Sequence, residues 1–247
     1  MVSVIDLTVP VTEDIPHSGL NPPAPHLWQT YSHGMTRSAF EPFEDEKLNP
    51  TGRPFSFKNE TVVLSGHTAT HIDAPSHVDP DSDVDVASID LDRLYCECLL
   101  IDVADRVDSG GAIEVTDIEA SLETDGISSE NIPTGIFVRT GWSRYRESSP
   151  KKYLQKYPGL TSESAKWVLD KDVDVIGVDA PNVDRPDDPR QPAHVGFLRR
   201  GWPQSIPIVE NLAALDAIPD PTFTVFIAPI PLVTASGAPA RVVAFVE

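Results

Sequence analysis

Three histidines and an aspartate fall within eleven residues of this chain, in the run SGHTATHIDAPSH: His67, His71, Asp73 and His77. A neutral imidazole offers one nitrogen lone pair and a carboxylate offers hard oxygens. Together they suit zinc, manganese or a similar divalent ion. Spacing limits how they can meet. His71 and Asp73 are two apart, so on an extended segment they point to one face, about 6–7 Å apart at the backbone. Both can then reach one ion. His67 and His77 share that parity, but a straight strand would set them ~33 Å apart. The chain must therefore bend, and Pro75 is one place for it. A turn at Thr68-Ala69-Thr70 would bring His67 beside His71. The helix-borne metalloprotease motif HExxH does not fit, because Thr68 stands where that motif has its glutamate.

Two further donors lie downstream. His194 in QPAHVGFLRRG is followed sixteen residues later by Glu210 in IPIVENLAAL. Taken alone, His194 reads as structural, and Glu210 reads as an ordinary acidic residue at the start of a short helix, VENLAALDAI. Asp179 and Asn182 follow an apolar run, and the C-terminal ends of strands host sites in α/β proteins; the stretch DAPNVD reads more simply as a turn. No GxSxG occurs, so a covalent serine mechanism is not suggested.

The elements that must position these residues alternate irregularly. VSVIDLT, KNETVVLSG, ECLLIDV, GIFVRTG, DVIGVDAP, TFTVFIAP and ARVVAFVE read as strands from their β-branched and apolar content. TDIEASLE and TSESAKWVLDK read as helices, the second entered through Thr161 or Ser162. NPPAPHLWQTYSHG reads as irregular. The 24 prolines are spread out and favour short elements with long connections over a helix bundle. The pattern predicts a mixed α/β fold in one domain covering residues 1–247.

Composition narrows the partners. Acids outnumber bases by 38 to 19, a net charge of −19, which repels phosphate backbones and anionic lipid. Nucleic-acid and membrane partners are therefore not expected. No apolar run approaches the ~20 residues of a membrane span, and MVSVIDLTVP does not read as a signal peptide. Cys96 and Cys98 sit in an apolar strand and read as packing residues of a cytoplasmic protein, with no disulfide framework. The acidity, with Asp exceeding Glu, also fits adaptation to high salt, where repulsion between surface carboxylates is screened.

The run from His67 to His77 resembles the signature HxGTHxDxPxH of the cyclase-like metal hydrolase family, which includes bacterial kynurenine formamidases and isatin hydrolases; Ala69 replaces its glycine. VIDLTVPVTEDIP, GIFVRTGWSRY, GLTSESAKWVLDKDVDVIGVDAPNVD, PIVENLAALDAIP and GAPARVVA are similar to family blocks, and residues 15–60 match worst. The resemblance implies a single α/β domain with a mixed sheet, a barrel-like core and flanking short helices of the swivelling β/β/α type, assembled as a homodimer or homotetramer. It implies one or two divalent ions, zinc or manganese. His67, His71 and Asp73 would be ligands; His194 and Glu210 would serve a second ion, sharing Asp73. His77 would be the acid/base catalyst, and Ser236 and Gly237 in TASGAPA would face the substrate. A longer His-to-Glu interval than usual, through RRGWPQS, is the other departure.

The residue types agree with hydrolysis. Amide cleavage near neutral pH needs a better nucleophile than free water, and a bound divalent ion lowers the pKa of its water to about 7 from 15.7. Imidazole has the pKa to protonate the leaving amine. The resulting expectation is a metal-dependent hydrolase of a small-molecule amide, arylformamidase-like, converting N-formylkynurenine to kynurenine and formate. Opening of a cyclic amide or imide of the isatin type, or of a lactone, is the alternative. A non-catalytic metal-binding protein is the reading from another class.

Overall fold

The apolar runs become the middle of one large sheet. In the computed structural model, which describes residues 2–12, 14–16, 26–40, 53 and 55–246, the chain runs β1 (Ser3–Asp6), β2 (His26–Tyr31), α1 (His33–Phe40), β3 (Asn59–Val63), β4 (His71–Asp73), α2 (Leu91–Leu94), β5 (Tyr95–Asp102), β6 (Ala112–Ile113), α3 (Val115–Asp125) and β7 (Gly135–Arg139). It continues through α4 (Tyr145–Ser148), α5 (Pro150–Gln155), β8 (Gly159–Leu160), α6 (Ser162–Leu169), β9 (Val175–Val178), α7 (Pro192–Leu198), β10 (Ile208–Glu210), β11 (Thr222–Pro229) and β12 (Gly237–Val246).

Strands β5, β7, β9 and β10 are parallel neighbours. Parallel pairs need crossovers, and α3, α6 and α7 lie in those connections. From β10 the order continues antiparallel through β4, β12 and β11 back to β5. The sheet thus closes on itself through seven strands, with β1 added outside the ring. Strand β12 makes the closure possible. Its first part, Gly237–Pro239, pairs with β4 and Ala240–Phe245 pairs with β11, while Val243–Val246 also carries β1. The fold is α/β, a mixed barrel-like sheet flanked by short helices.

Side-chain alternation divides the core in two. Leu99, Ile101, Ile136, Val138, Ile176 and Val178 pack outward against Ile118, Leu122, Ala165, Val168 and Phe197 of the helices. The intervening Cys98, Leu100, Phe137 and Val175 join Ile72, Val209, Val225, Ile227 and Val242 inside the ring. Strands covered on both faces need apolar residues at every position, which is why these runs stand out in the sequence. Helix α6 begins as its entry residues indicate: Thr161 caps it, exchanging hydrogen bonds with Ser164. Cys96 and Cys98 are free thiols packed against Gly135, where a Cβ would meet both sulfurs at 3.0–3.1 Å.

Two sequence expectations fail. HLWQTY, read as irregular, is strand β2, paired antiparallel with β3; residues 21–25 of that stretch lie outside the described residues. VENLAALDAI is not a helix. Val209 and Glu210 belong to β10, Asn211 and Ala214 adopt left-handed backbone (φ 58° and 50°), and only a 3₁₀ turn at Leu215–Ala217 follows. Pairing on both sides, to β9 and β4, overrides the helical propensity of that run. Among the described residues, no helix is long and apolar enough to cross a membrane.

Candidate metal centre

The register of β4 builds the site. In the antiparallel ladders His71 lies opposite Glu210 of β10 on one side and Pro239 of β12 on the other, while Asp73 lies opposite Ile208 and Gly237. Ile72 points into the ring with Val209. His71 and Asp73 therefore point the other way, with Glu210 beside them. His71 Nε2 lies 3.4 Å from Asp73 Oδ1 and 3.5 Å from Glu210 Oε2. Glu210 is thus a strand residue facing its cross-strand partner, not a charge at a helix start.

The two bends also form. Ala69 turns in the left-handed region (φ 57°), and the rings of His67 and His71 meet edge to face at 5.2 Å. A residue with a Cβ costs about 1–2 kcal/mol in that conformation, so alanine is strained where the signature has glycine. A 3₁₀ turn at Pro75–His77 then swings His77 back, its ring centroid 4.1 Å from that of His67 and 5.8 Å from that of His194. His67 Nδ1 approaches Asp73 Oδ1 at 2.6 Å, and its Nε2 lies 3.2 Å from Ser236 Oγ. Gly237 lies flat against that ring; a Cβ there would collide with it. Ser236 and Gly237 thus border the cluster.

His194 enters from α7. Its Nε2 lies 3.6 Å from both Asp73 Oδ2 and Glu210 Oε1. Asp184 fixes this arrangement. Its carboxylate accepts the backbone N–H groups of Ala193 and His194, which begin α7, and faces His194 Nδ1 at 2.7 Å. With Nδ1 donating to Asp184, Nε2 is left to face the cluster. His71 follows the same logic, its Nδ1 lying 2.9 Å from the carbonyl oxygen of Ala69. Val183 N–H donates to Glu210 Oε1, so one short loop holds both His194 and Glu210.

Asp184 is not legible in the sequence as a functional residue; its one signal there is a place in DAPNVD, ten residues before His194. Asp179 does serve the turn: it is buried and accepts from the backbone and hydroxyl of Thr140.

Electrostatics point to a cation. Asp73 and Glu210 are 0% and 4% exposed, and from the described residues neither oxygen of Asp73 receives a well-formed hydrogen bond. Two buried carboxylates side by side require a counter-charge. Burial, and then the Asp73 charge, push Glu210 up to about 8. Asp73 itself is held well below the usual range: burial works against this, but the surrounding imidazoles, His71 foremost, prevail. His194 rises to about 10: burial works against this too, but the carboxylates of Asp184 and Asp73 prevail. His77, although an exposed residue, falls to about 4: desolvation lowers it first, the Asp73 charge opposes, and the imidazoles of His67, His194 and His71 add to the fall. Two donor groups have atoms within 4.8 Å of one another: His71, Asp73 and Glu210, all buried, and His67, Asp73 and His77, more open. Imidazole and carboxylate without thiolate suit a divalent ion of the zinc or manganese kind.

Two measurements follow from this geometry. Metal-free protein carries protons on His194 and Glu210 near neutrality, and ligation requires them off. Metal affinity is therefore expected to rise with pH up to about 8, where Glu210 loses its proton, and more gently on toward about 10, where His194 does, with proton release seen by calorimetry in buffers of different ionisation enthalpy; a pH-independent affinity would contradict the assignment. Asp184→Asn leaves one acceptor oxygen for three donors. Metal affinity should fall about 10–100-fold, the usual cost of losing an outer partner, as read by competition with a chromophoric chelator.

Comparison with known proteins gives a consistent family. Residues 5–185 match the Cyclase family model, described as putative cyclase. A kynurenine formamidase of Bacillus cytotoxicus is 31% identical over 182 residues, covering 74% of this chain and 77% of that protein. Cyclase-like protein 2 of Arabidopsis thaliana is 30% identical over 190 residues, covering 74% and 63%. Among solved structures, isatin hydrolase A from Labrenzia aggregata bound to benzyl benzoate superposes with a TM-score of 0.78 at 23% identity, covering 99% of this chain and 94% of that one. An isatin hydrolase bound to the product analogue thioisatinate gives 0.80 at 23% identity, covering 100% and 93%.

Proposed function

The chain belongs to the Cyclase family, and on that premise we propose that it is a metal-dependent amidohydrolase acting on a non-peptide C–N bond, specifically an arylformamidase that converts N-formylkynurenine to kynurenine and formate. The observation that carries this reading is the convergence of His71, Asp73, Glu210 and His194, with His77 standing at the open side. A purely structural site is closed by protein ligands, whereas a catalytic one keeps an open position. Here the buried donors are backed by an exposed histidine.

His67, His71 and Asp73 would hold one divalent ion, and His194 and Glu210, together with Asp73, would hold a second. When bound, a divalent cation lowers the pKa of its water to about 7 and polarises the substrate carbonyl. His77, neutral above about pH 4, takes a proton from the attacking water on an imidazole nitrogen. It then delivers that proton to the leaving nitrogen as the C–N bond breaks. Ser236 Oγ, anchored beside His67, offers a hydrogen bond to a polar group of the substrate. Gly237 keeps that wall flat.

The test is formate release from N-formylkynurenine by protein stripped of metal and reloaded with Zn²⁺ or Mn²⁺, with isatin opening measured alongside. Both reactions begin by attack at an amide carbonyl, so the same residues serve either. Turnover of the formamide supports the arylformamidase reading. Turnover of isatin alone replaces it with cyclic-amide hydrolysis. No turnover of either by metal-loaded protein sinks the enzyme reading.

A further inference from the structure

We propose that Thr70 and Asn211 are positioning residues that latch the two metal-bearing strands together at the point where their ladder ends. This rests on the reading above that the cluster holds a divalent cation.

Strands β4 and β10 share only three residue pairs, 71 with 210, 72 with 209 and 73 with 208. That short ladder must keep His71 and Asp73 beside Glu210. Both chains leave the ladder at the next position. Before His71 and Thr70 the chain turns at Ala69 (φ 57°), and after Glu210 it turns at Asn211 (φ 58°), both in the left-handed region. Where a further pair would stand, a side chain takes over: the Thr70 hydroxyl donates to the Asn211 carbonyl at 2.6 Å.

Each partner is held from other directions as well. Thr70 is 1% exposed, and its hydroxyl accepts the backbone N–H of Val9 at 2.8 Å. Its own carbonyl accepts from Ala240 N–H of β12 at 3.0 Å. Asn211 N–H donates to the Ala180 carbonyl at 3.0 Å, beyond β9, and its Oδ1 accepts from the Tyr153 hydroxyl of α5 at 2.7 Å. Asn211 is therefore clamped on three sides, one residue from Glu210. The hydroxyl of Thr70 has its donor and its acceptor capacity both in use. Valine would keep the shape, leave Val9 N–H and Asn211 C=O unpaired, and loosen the end of the ladder.

The experiment measures the dissociation constants of Mn²⁺ and Zn²⁺, by chelator competition at one fixed temperature, for the full chain, Thr70→Val, Thr70→Ser and Tyr153→Phe, with melting temperatures of the metal-free forms. Because affinity is read on folded protein, a loss of stability alone does not move it. Thr70→Val should bind about 10–100-fold more weakly, the range found when a partner behind a ligand is removed. Thr70→Ser, which keeps the hydroxyl, should stay close to the parent, and Tyr153→Phe should lose several-fold. A folded Thr70→Val with parent affinity overturns the latch, whatever its melting temperature. Should that variant not fold, Tyr153→Phe decides, and parent affinity there overturns the latch equally. A parent chain that binds neither ion overturns the metal reading itself, and the latch with it.

Discussion

His77→Ala is expected to lower turnover by about 10²–10⁴-fold, the usual worth of a positioned general acid–base, and to leave metal affinity near the parent value. Position separates the two effects. His77 lies on the 3₁₀ turn after Pro75, outside the buried group of His71, Asp73 and Glu210. Its ring reaches the cluster through His67 and His194, at 4.1 and 5.8 Å between centroids, and the residue is exposed. A residue so placed can exchange protons with a substrate without holding the ion. Metal content by elemental analysis and formate release, measured on one preparation, distinguish the two roles. If the variant loses its metal, His77 is a ligand and another group must carry the proton.

Asp73→Asn should abolish metal binding and activity together. Asp73 belongs to both donor groups and is wholly buried. Three imidazoles surround its oxygens, at 2.6 Å for His67, 3.4 Å for His71 and 3.6 Å for His194. The substitution keeps the shape and removes the charge, leaving Glu210 as the sole carboxylate of the buried group. Affinity should therefore fall by more than the ~100-fold that loss of an outer partner reaches. In the metal-free variant the Glu210 pKa should also come down from about 8, since the Asp73 charge that adds to burial there is gone. Chelator competition reads the first effect and a pH titration by carboxylate-sensitive infrared difference spectra reads the second. Parent-like affinity in a folded variant would remove Asp73 from the site.

What the sequence made legible follows the physics of each segment. Strands β5, β7 and β9 have apolar runs that carry no competing pattern, because their central residues are buried on both faces. That the chain bends between His67 and His77 follows from reach alone, because no ion spans a straight strand of that length. The helix expected at residues 209–218 went astray because Leu and Ala in that run favour a helix locally. What decides the outcome is non-local: Glu210 pairs with His71, far away in sequence. Asp184 stayed hidden for the same reason, since only the fold shows that its carboxylate caps α7 and meets the His194 ring. Closure of the ring was equally invisible, because one strand, β12, pairs with β4 through its first part and with β11 through the rest. The strain at Ala69, by contrast, could be located from the signature, and the positive φ gives it a physical basis.

Crystals grown with Mn²⁺ and measured at a wavelength with anomalous signal from manganese test the central claim most directly. An anomalous peak is expected within about 2.5 Å of an oxygen of Asp73 and of imidazole nitrogens from His71 or His194, with the His77 ring nearby and uncoordinated. Peaks only at surface carboxylates, with these side chains arranged around no ion, would contradict it.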